Sequence, residues 1–130
     1  ELMDYLLDLH QQGKLKAPAK SMQEEFIYHL PCHLCAIGNE TASIRLLQEL
    51  CGAKVADIKA GCCGIAGTFG MQKKNYELSS QIATRLKEAL DKSPVRNVLT
   101  ECAACKMQIE HLSARVVSHP IKVLADCYSG

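Results

Sequence analysis

The most informative stretch of the chain is residues 60–70, which read AGCCGIAGTFG. Two adjacent cysteines, Cys62 and Cys63, are flanked by glycines, and further glycines and small residues follow at once. Glycine lets the backbone adopt conformations closed to other residues and approach a bound group closely. Neighbouring thiols on such a loop can be directed at one object, and soft thiolates favour zinc, Cu(I) or an iron–sulfur cluster. The stretch therefore predicts a metal or cluster site.

Three further cysteines extend this prediction. Cys102 and Cys105 form a CxxC pair at a predicted helix start, where free N–H groups and the helix dipole stabilise thiolate over thiol. Cys32 supplies a fifth sulfur, and five sulfurs exceed the four of a closed zinc site, which favours a polynuclear cluster. Two alternatives remain open: a four-cysteine zinc or mononuclear iron site that includes Cys35, and a thioredoxin-type redox role for the CHLC motif at residues 32–35.

Strand-like and helix-like segments alternate along the chain. Short apolar runs predict strands at residues 26–29, 54–58, 95–100 and 116–118. Periodic apolar residues predict helices at residues 1–12, 39–51, 75–90, 103–114 and from 120 onward. Such alternation with short connections is typical of an α/β fold. We therefore expect a small, parallel four-stranded sheet flanked by helices.

Apolar periodicity also predicts which helix faces are buried. In the helix at residues 75–90 the expected face recurs every four residues, at Leu78, Ile82, Leu86 and Leu90. In the first helix the expected face is Leu2, Tyr5, Leu6 and Leu9. Cys51 and Cys127 fall on apolar helix faces, so we predict that both are core residues rather than ligands.

The predicted topology brings the cysteines together. Cys32, the Cys62–Cys63 pair and the Cys102–Cys105 pair each follow a predicted strand directly. In a parallel sheet the carboxyl ends of the strands lie along one edge, where ligands normally bind. His33 and His119 are expected at the same edge, where either could donate a hydrogen bond to a cluster sulfur or bind zinc.

Composition excludes several functions. The chain has 130 residues with a formal net charge of +1 and no basic run, so nothing indicates a nucleic-acid-binding face. No stretch approaches the length of apolar sequence that a membrane-spanning helix needs. Eight cysteines without a signal peptide are typical of metal-binding or catalytic thiols in a reducing compartment rather than of disulfides. We therefore expect a cytoplasmic protein.

Two regions are predicted along the chain. Residues 1–25 are expected to be an N-terminal helix and linker that end a preceding region, since the sequence starts within a helix. Residues 26–130 are expected to form the cysteine-rich domain. On this interpretation the chain is a fragment of a longer protein or a solitary domain.

Three motifs resemble the cysteine-rich domain family called CCG. They are PCH at residues 31–33, GCCG at 61–64 and ECAAC at 101–105. This domain occurs in heterodisulfide reductase and in iron–sulfur subunits of glycolate and lactate oxidation. The sequences around residues 61–70, 106–110 and 119–121 are similar to the C-terminal domain of the iron–sulfur subunits of anaerobic glycerol-3-phosphate dehydrogenases.

The resemblance implies both a cofactor and a role. It implies that Cys32, Cys62, Cys63, Cys102 and Cys105 bind a [4Fe–4S] cluster. In heterodisulfide reductase the cluster of this family is of the non-cubane type. The implied role is electron transfer from flavoprotein dehydrogenase subunits, through other iron–sulfur domains of the same complex, towards quinone at the inner face of the cell membrane. The alternatives are a structural Zn²⁺-binding or interaction domain, and a catalytic cluster that binds a thiol or disulfide substrate.

Overall fold

Four short strands form one parallel sheet in the computed structural model, in the order β2-β1-β3-β4. The structure describes residues 2–32, 34, 42–65 and 72–129. The strands are β1 (Glu25–Tyr28), β2 (Lys54–Asp57), β3 (Asn97–Leu99) and β4 (Val116–Ser118). The predicted α/β class and the predicted four-stranded parallel sheet are confirmed.

Helices alternate with these strands. They are α1 (Leu2–Gln11), α2 (Ala42–Leu46), α3 (Tyr76–Ile82), α4 (Thr84–Lys92), α5 (Ala103–Leu112) and α6 (Pro120–Tyr128). A π-helical segment, Leu47–Cys51, continues α2 and ends at Gly52, whose φ of 66° is left-handed. A 3₁₀ turn, Lys73–Asn75, leads into α3.

The sheet has an apolar layer on each face. Phe26, Tyr28 and Leu99 belong to a core that α1, α2, the π-helical segment and α6 complete. Ile27 and Val98 belong to a second core, built with α4 and α5. Successive strand residues point to opposite faces, so this alternation divides the apolar side chains between two helical layers. Burial of apolar surface on both faces stabilises the three-layer arrangement.

The strand order places a crevice at one edge of the sheet. The connection after β1 runs to β2 on one side of the sheet, whereas the connection after β3 runs to β4 on the other side, so the strand order reverses between β1 and β3. In open parallel sheets ligands bind outside the carboxyl ends of the strands, at the point where the order reverses. Cys32 follows β1 and Cys102 follows β3, so both cysteines flank this point.

The helix predicted at residues 75–90 is not continuous. Ala83, with ψ of −5°, separates α3 from α4. Leu86 and Leu90 are fully buried as predicted, whereas Leu78 and Ile82 are 50% and 45% exposed. Residues four apart share one face only along a single straight helix. The interruption at Ala83 therefore directs Leu78 and Ile82 away from the core.

The predicted buried face of the first helix is right only in part. Met3 and Leu7 lie in the core and the half-buried Leu6 packs against it, whereas Leu2 and Tyr5 are exposed. Apolar residues are so frequent in α1 that more than one face has the helical spacing, and contact with α2 selects the Met3–Leu7 face. The third strand is shorter than predicted, Asn97–Leu99 rather than residues 95–100. The predicted start of the second helix lies outside the described residues.

Candidate metal centre

Two cysteines that are distant in sequence meet behind the sheet edge. The Sγ atoms of Cys63 and Cys105 are 3.2 Å apart, although 42 residues separate them along the chain. Cys63 lies in the connection that follows β2, and Cys105 lies in the first turn of α5. Both side chains are buried in the core between the sheet and its α4–α5 layer. The topology therefore brings two predicted ligand groups into direct contact.

Cys102 adds a third thiol to this pair. It occupies the N-cap position of α5. The pKa of the Cys105 thiol is raised well above its usual value, first by its hydrogen bond to Cys63, then by burial, with Cys102 contributing further. Thiolates crowded in this way repel one another, so a bound cation would favour their ionised form.

Cys62 and Cys32 lie in a neighbouring cleft. Both line an open cavity of about 340 Å³ at the carboxyl ends of β1 and β2. The Cys62 sulfur accepts a hydrogen bond from the Gly64 N–H at 3.2 Å, and Cys32 is exposed. Within the described residues, no three His, Cys, Asp or Glu side chains are grouped in a geometry that would hold a metal ion. The structure does place Cys105 in contact with Cys63 and with Cys102, while Cys62 and Cys32 lie in the adjacent cleft.

A buried histidine supports the loop that carries Cys62. His29 follows β1 directly, and its Nε2 lies 3.0 Å from the carbonyl oxygen of Gly61. Because the carbonyl accepts, Nε2 carries the proton and the neutral ring leaves Nδ1 as an acceptor. Burial lowers the pKa of His29, and the bond to Gly61 opposes this only in part. Gly61 has a φ of 79°, a left-handed conformation that glycine adopts without strain.

Two polar atoms near the crevice lack partners among the residues that the structure describes. They are Nδ1 of His29 and Oγ1 of Thr100, and both residues are almost completely buried. The backbone N–H of His29 binds Leu99 on β3, so His29 and Thr100 lie at the ends of adjacent strands. A buried polar atom without a partner is costly, and such atoms often mark the place of a bound group.

A close contact between loop and helix fixes the position of Cys63. Gly64 lies against the backbone of Ser79 in α3, where an added Cβ would sit 3.1 Å from the Ser79 carbonyl carbon. The Gln108 amide in α5 donates a hydrogen bond to Ser79 Oγ at 3.3 Å. Gln108 is one turn beyond Cys105, so these contacts connect the Cys63 loop with the helix that carries Cys105.

A carboxylate network lies on the other side of the same edge. Glu101 immediately precedes Cys102 and accepts hydrogen bonds from the Tyr28 hydroxyl, at 2.5 Å, and from the Ser43 hydroxyl. Sequence reasoning missed His29, Thr100 and Glu101. Their one sequence signal is their position, since each is a polar residue within two positions of the end of an apolar strand that leads to a cysteine.

The remaining sequence-predicted residues have these positions. His119 is the N-cap of α6, where its Nδ1 accepts the Ile121 N–H at 3.0 Å. His33, Cys35 and the glycine-rich sequence at residues 66–70 lie outside the described residues. Cys51 and Cys127 are fully buried, as predicted, and burial together with the Cys127 contact raises the pKa of Cys51 to about 12.

Thiols gathered near the carboxyl ends of the strands of a parallel α/β sheet are typical of a cysteine-rich domain. The chain belongs to the CCG cysteine-rich domain family, whose model matches residues 26–110. The family predicted from the three cysteine motifs is therefore confirmed.

Several curated proteins are similar to this chain. A subunit of the anaerobic glycerol-3-phosphate dehydrogenase of Escherichia coli K12 is 36% identical over 108 residues, which is 83% of this chain and 27% of that protein. D-2-hydroxyglutarate dehydrogenase of the same strain is 33% identical over 76 residues, 58% of this chain and 8% of the relative. D-2-hydroxyglutarate dehydrogenase of Pseudomonas putida is 27% identical, over 93% of this chain and 12% of the relative.

The chain spans about a quarter of the length of the glycerol-3-phosphate dehydrogenase relative, and much less of the other two. The alignments therefore identify a domain that these larger proteins contain. No solved structure gave a significant match. Within the described residues, none of the helices combines the length and the apolar character needed to cross a membrane.

Proposed function

We propose that this domain binds an iron–sulfur cluster and transfers electrons within a flavin-dependent dehydrogenase. The observation that carries the proposal is the contact of Cys63 with Cys105 at the sheet edge, with Cys102 beside them. The proposed ligands are these three cysteines with Cys62 and Cys32, of which Cys62 and Cys32 would turn inward from the adjacent cleft.

The residues present fit such a group. Thiolates are soft ligands that select iron–sulfur clusters, zinc or Cu(I). Metal coordination would remove the thiol protons and relieve the crowding that raises the pKa of Cys105. The Thr100 hydroxyl, buried without a partner in the described part of the chain, would gain a sulfur acceptor. When bound, a cluster supplies one-electron transfer, which no amino-acid side chain of this domain provides.

The protein would position and shield the site. Gly64 permits the Cys63 loop to lie against α3, and the Ser79–Gln108 hydrogen bond joins that helix to α5. His29 holds the Gly61 carbonyl and thereby the backbone ahead of Cys62. Cys63 and Cys105 are 3% and 4% exposed, so their side of the site is shielded from water. Burial and hydrogen bonding of this kind set the reduction potential of a cluster.

The relatives support a role within a larger oxidoreductase. Both proteins named D-2-hydroxyglutarate dehydrogenase, and the subunit of anaerobic glycerol-3-phosphate dehydrogenase, contain a region similar to this chain. We propose that electrons arrive from a flavoprotein partner and leave through further clusters towards quinone, in a complex at the inner face of the cell membrane. The domain would then be an electron-transfer element without turnover of its own.

A structural zinc site is the second candidate, and one observation favours it. Cys105 contacts both Cys63 and Cys102, and Cys62 is adjacent to Cys63 in sequence, so that four sulfurs are available. Four thiolates are the ligand set of a closed zinc site. In that case the domain would have a structural or interaction role, and Cys32 would remain outside the site.

Cysteine variants test the ligand set. Cys63→Ser and Cys105→Ser are compared with Cys127→Ala, which alters a buried thiol in the opposite core. After anaerobic reconstitution with iron and sulfide, we expect visible absorbance and bound iron in the wild type and in Cys127→Ala, with strong loss in the two serine variants. Equal iron binding by all four proteins would contradict the proposal.

A further inference from the structure

Glu101 connects three elements at the proposed centre. Its carboxylate accepts one hydrogen bond from Tyr28, the last residue of β1, and one from Ser43 in the first turn of α2. Tyr28 and Ser43 are 1% and 2% exposed, so both donors are held in the core. The peptide between Glu101 and Cys102 is thereby tied to the end of the strand that leads to Cys32.

The carboxylate has no cationic partner in the part of the chain that the structure describes. The ion pairs found there involve Glu25, Glu49, Asp91 and Glu110, but not Glu101. Two charge-assisted hydrogen bonds compensate the charge locally. A partly buried negative charge next to a cysteine ligand disfavours the addition of further negative charge nearby.

We propose that Glu101 is a positioning residue, which fixes Cys102 at the metal site and lowers the reduction potential of the group bound there. The inference rests on the proposed function. Tyr28 and Ser43 orient the carboxylate, and Glu101 holds the backbone of Cys102 relative to β1. Since reduction adds an electron to the site, the nearby carboxylate makes reduction less favourable.

Glu101→Gln is the main test, because glutamine keeps the shape and removes the charge. We expect iron content close to that of the wild type and a reduction potential shifted to a more positive value, measured by potentiometric titration followed by EPR. Glu110→Gln is the matched control, since Glu110 is an exposed residue of α5 paired with Lys106. The control should leave the potential unchanged. An unshifted potential in Glu101→Gln, or an equal shift in the control, would overturn the inference.

A second measurement keeps the inference testable without a cluster. In the metal-free full chain, we expect a thiol-modifying reagent to label Cys102 several-fold faster in Glu101→Ala and Ser43→Ala, which remove hydrogen bonds of this network, than in the wild type, with sites assigned by mass spectrometry. Equal labelling rates would overturn the positioning role. A wild type that binds no iron while both variants label faster would instead contradict the proposed function and leave the positioning role intact.

Discussion

Gly64 lies directly against Ser79, and a Cβ added at residue 64 would overlap the Ser79 carbonyl oxygen. The backbone of the Cys63 loop and the backbone of α3 are therefore in contact with no side chain between them. This contact places Cys63 opposite Cys105, so a change at a residue without a side chain should disturb the proposed centre.

Gly64→Ala is expected to destabilise the domain and impair metal binding. Gly64 has a φ of 88°, and a left-handed alanine costs about 1–2 kcal/mol before the clash with Ser79 is added. Gly13→Ala is the control, because Gly13 has a φ of 72° and open space around it. Urea unfolding should show a larger loss for Gly64→Ala than for Gly13→Ala. Equal losses would mean that the Ser79 contact has no energetic role.

Gln108→Leu should weaken the connection between α3 and α5. The substitution leaves the buried Ser79 hydroxyl without its donor, which we expect to cost about 1–3 kcal/mol in free energy of unfolding. The double variant Ser79→Ala/Gln108→Leu removes both partners and should recover much of this loss. Gln81→Leu, an exposed change on α3, should stay within about 0.5 kcal/mol of the wild type. A Gln108→Leu variant as stable as the wild type would contradict this account.

Thr100→Val should have different effects on the metal-free protein and on the protein that holds a cluster. Valine has the shape of threonine without the hydroxyl that lacks a partner among the described residues, so the metal-free variant should be as stable as the wild type or more stable. In the reconstituted protein the same change should lower the reduction potential, because a hydrogen bond to sulfur stabilises the reduced cluster. Thr84→Val, on the exposed surface of α4, serves as the control. An unchanged potential would exclude Thr100 as a donor to the bound group.

His29 should make the metal-free domain less stable in mild acid. Burial lowers the pKa of His29 in the fold, so the unfolded chain takes up the proton more readily. Stability should therefore fall as the pH drops below the unfolded value of about 6.5, with a slope of at most about 1.4 kcal/mol per pH unit from this group. Urea unfolding between pH 8 and pH 5.5 measures the effect, and His29→Gln should flatten it. A dependence that is the same in His29→Gln would assign it to other groups.

The arrangement of the cysteines along the sheet edge could be predicted from local sequence alone. Each motif follows an apolar strand, and parallel topology then brings the carboxyl ends together whatever the separation in sequence. The contact of Cys63 with Cys105 is an instance of this rule. The inward or outward direction of each thiol could not be predicted in this way, because it depends on backbone conformation, as in the turn where the Gly64 N–H binds the Cys62 sulfur.

The buried faces of the helices and the pairing of polar side chains could be identified only from the tertiary structure. The spacing of Leu78 and Ile82 matched a buried face, but the small residue Ser79 is the one that packs against Gly64. Glu101, Tyr28 and Ser43 form a network from three separate segments, and no local pattern pairs a carboxylate with hydroxyls 58 and 73 residues away. Periodicity reports apolar burial, whereas these contacts depend on which chain segments meet.

We propose that the cysteines at this edge bind an iron–sulfur cluster. The most direct test is analysis of iron, acid-labile sulfide and zinc in anaerobically purified protein, with EPR on the same sample. We predict about four irons and four sulfides per chain, with an EPR signal in one redox state only. One zinc per chain with no iron, even after reconstitution, would contradict the electron-transfer account and identify a structural zinc domain.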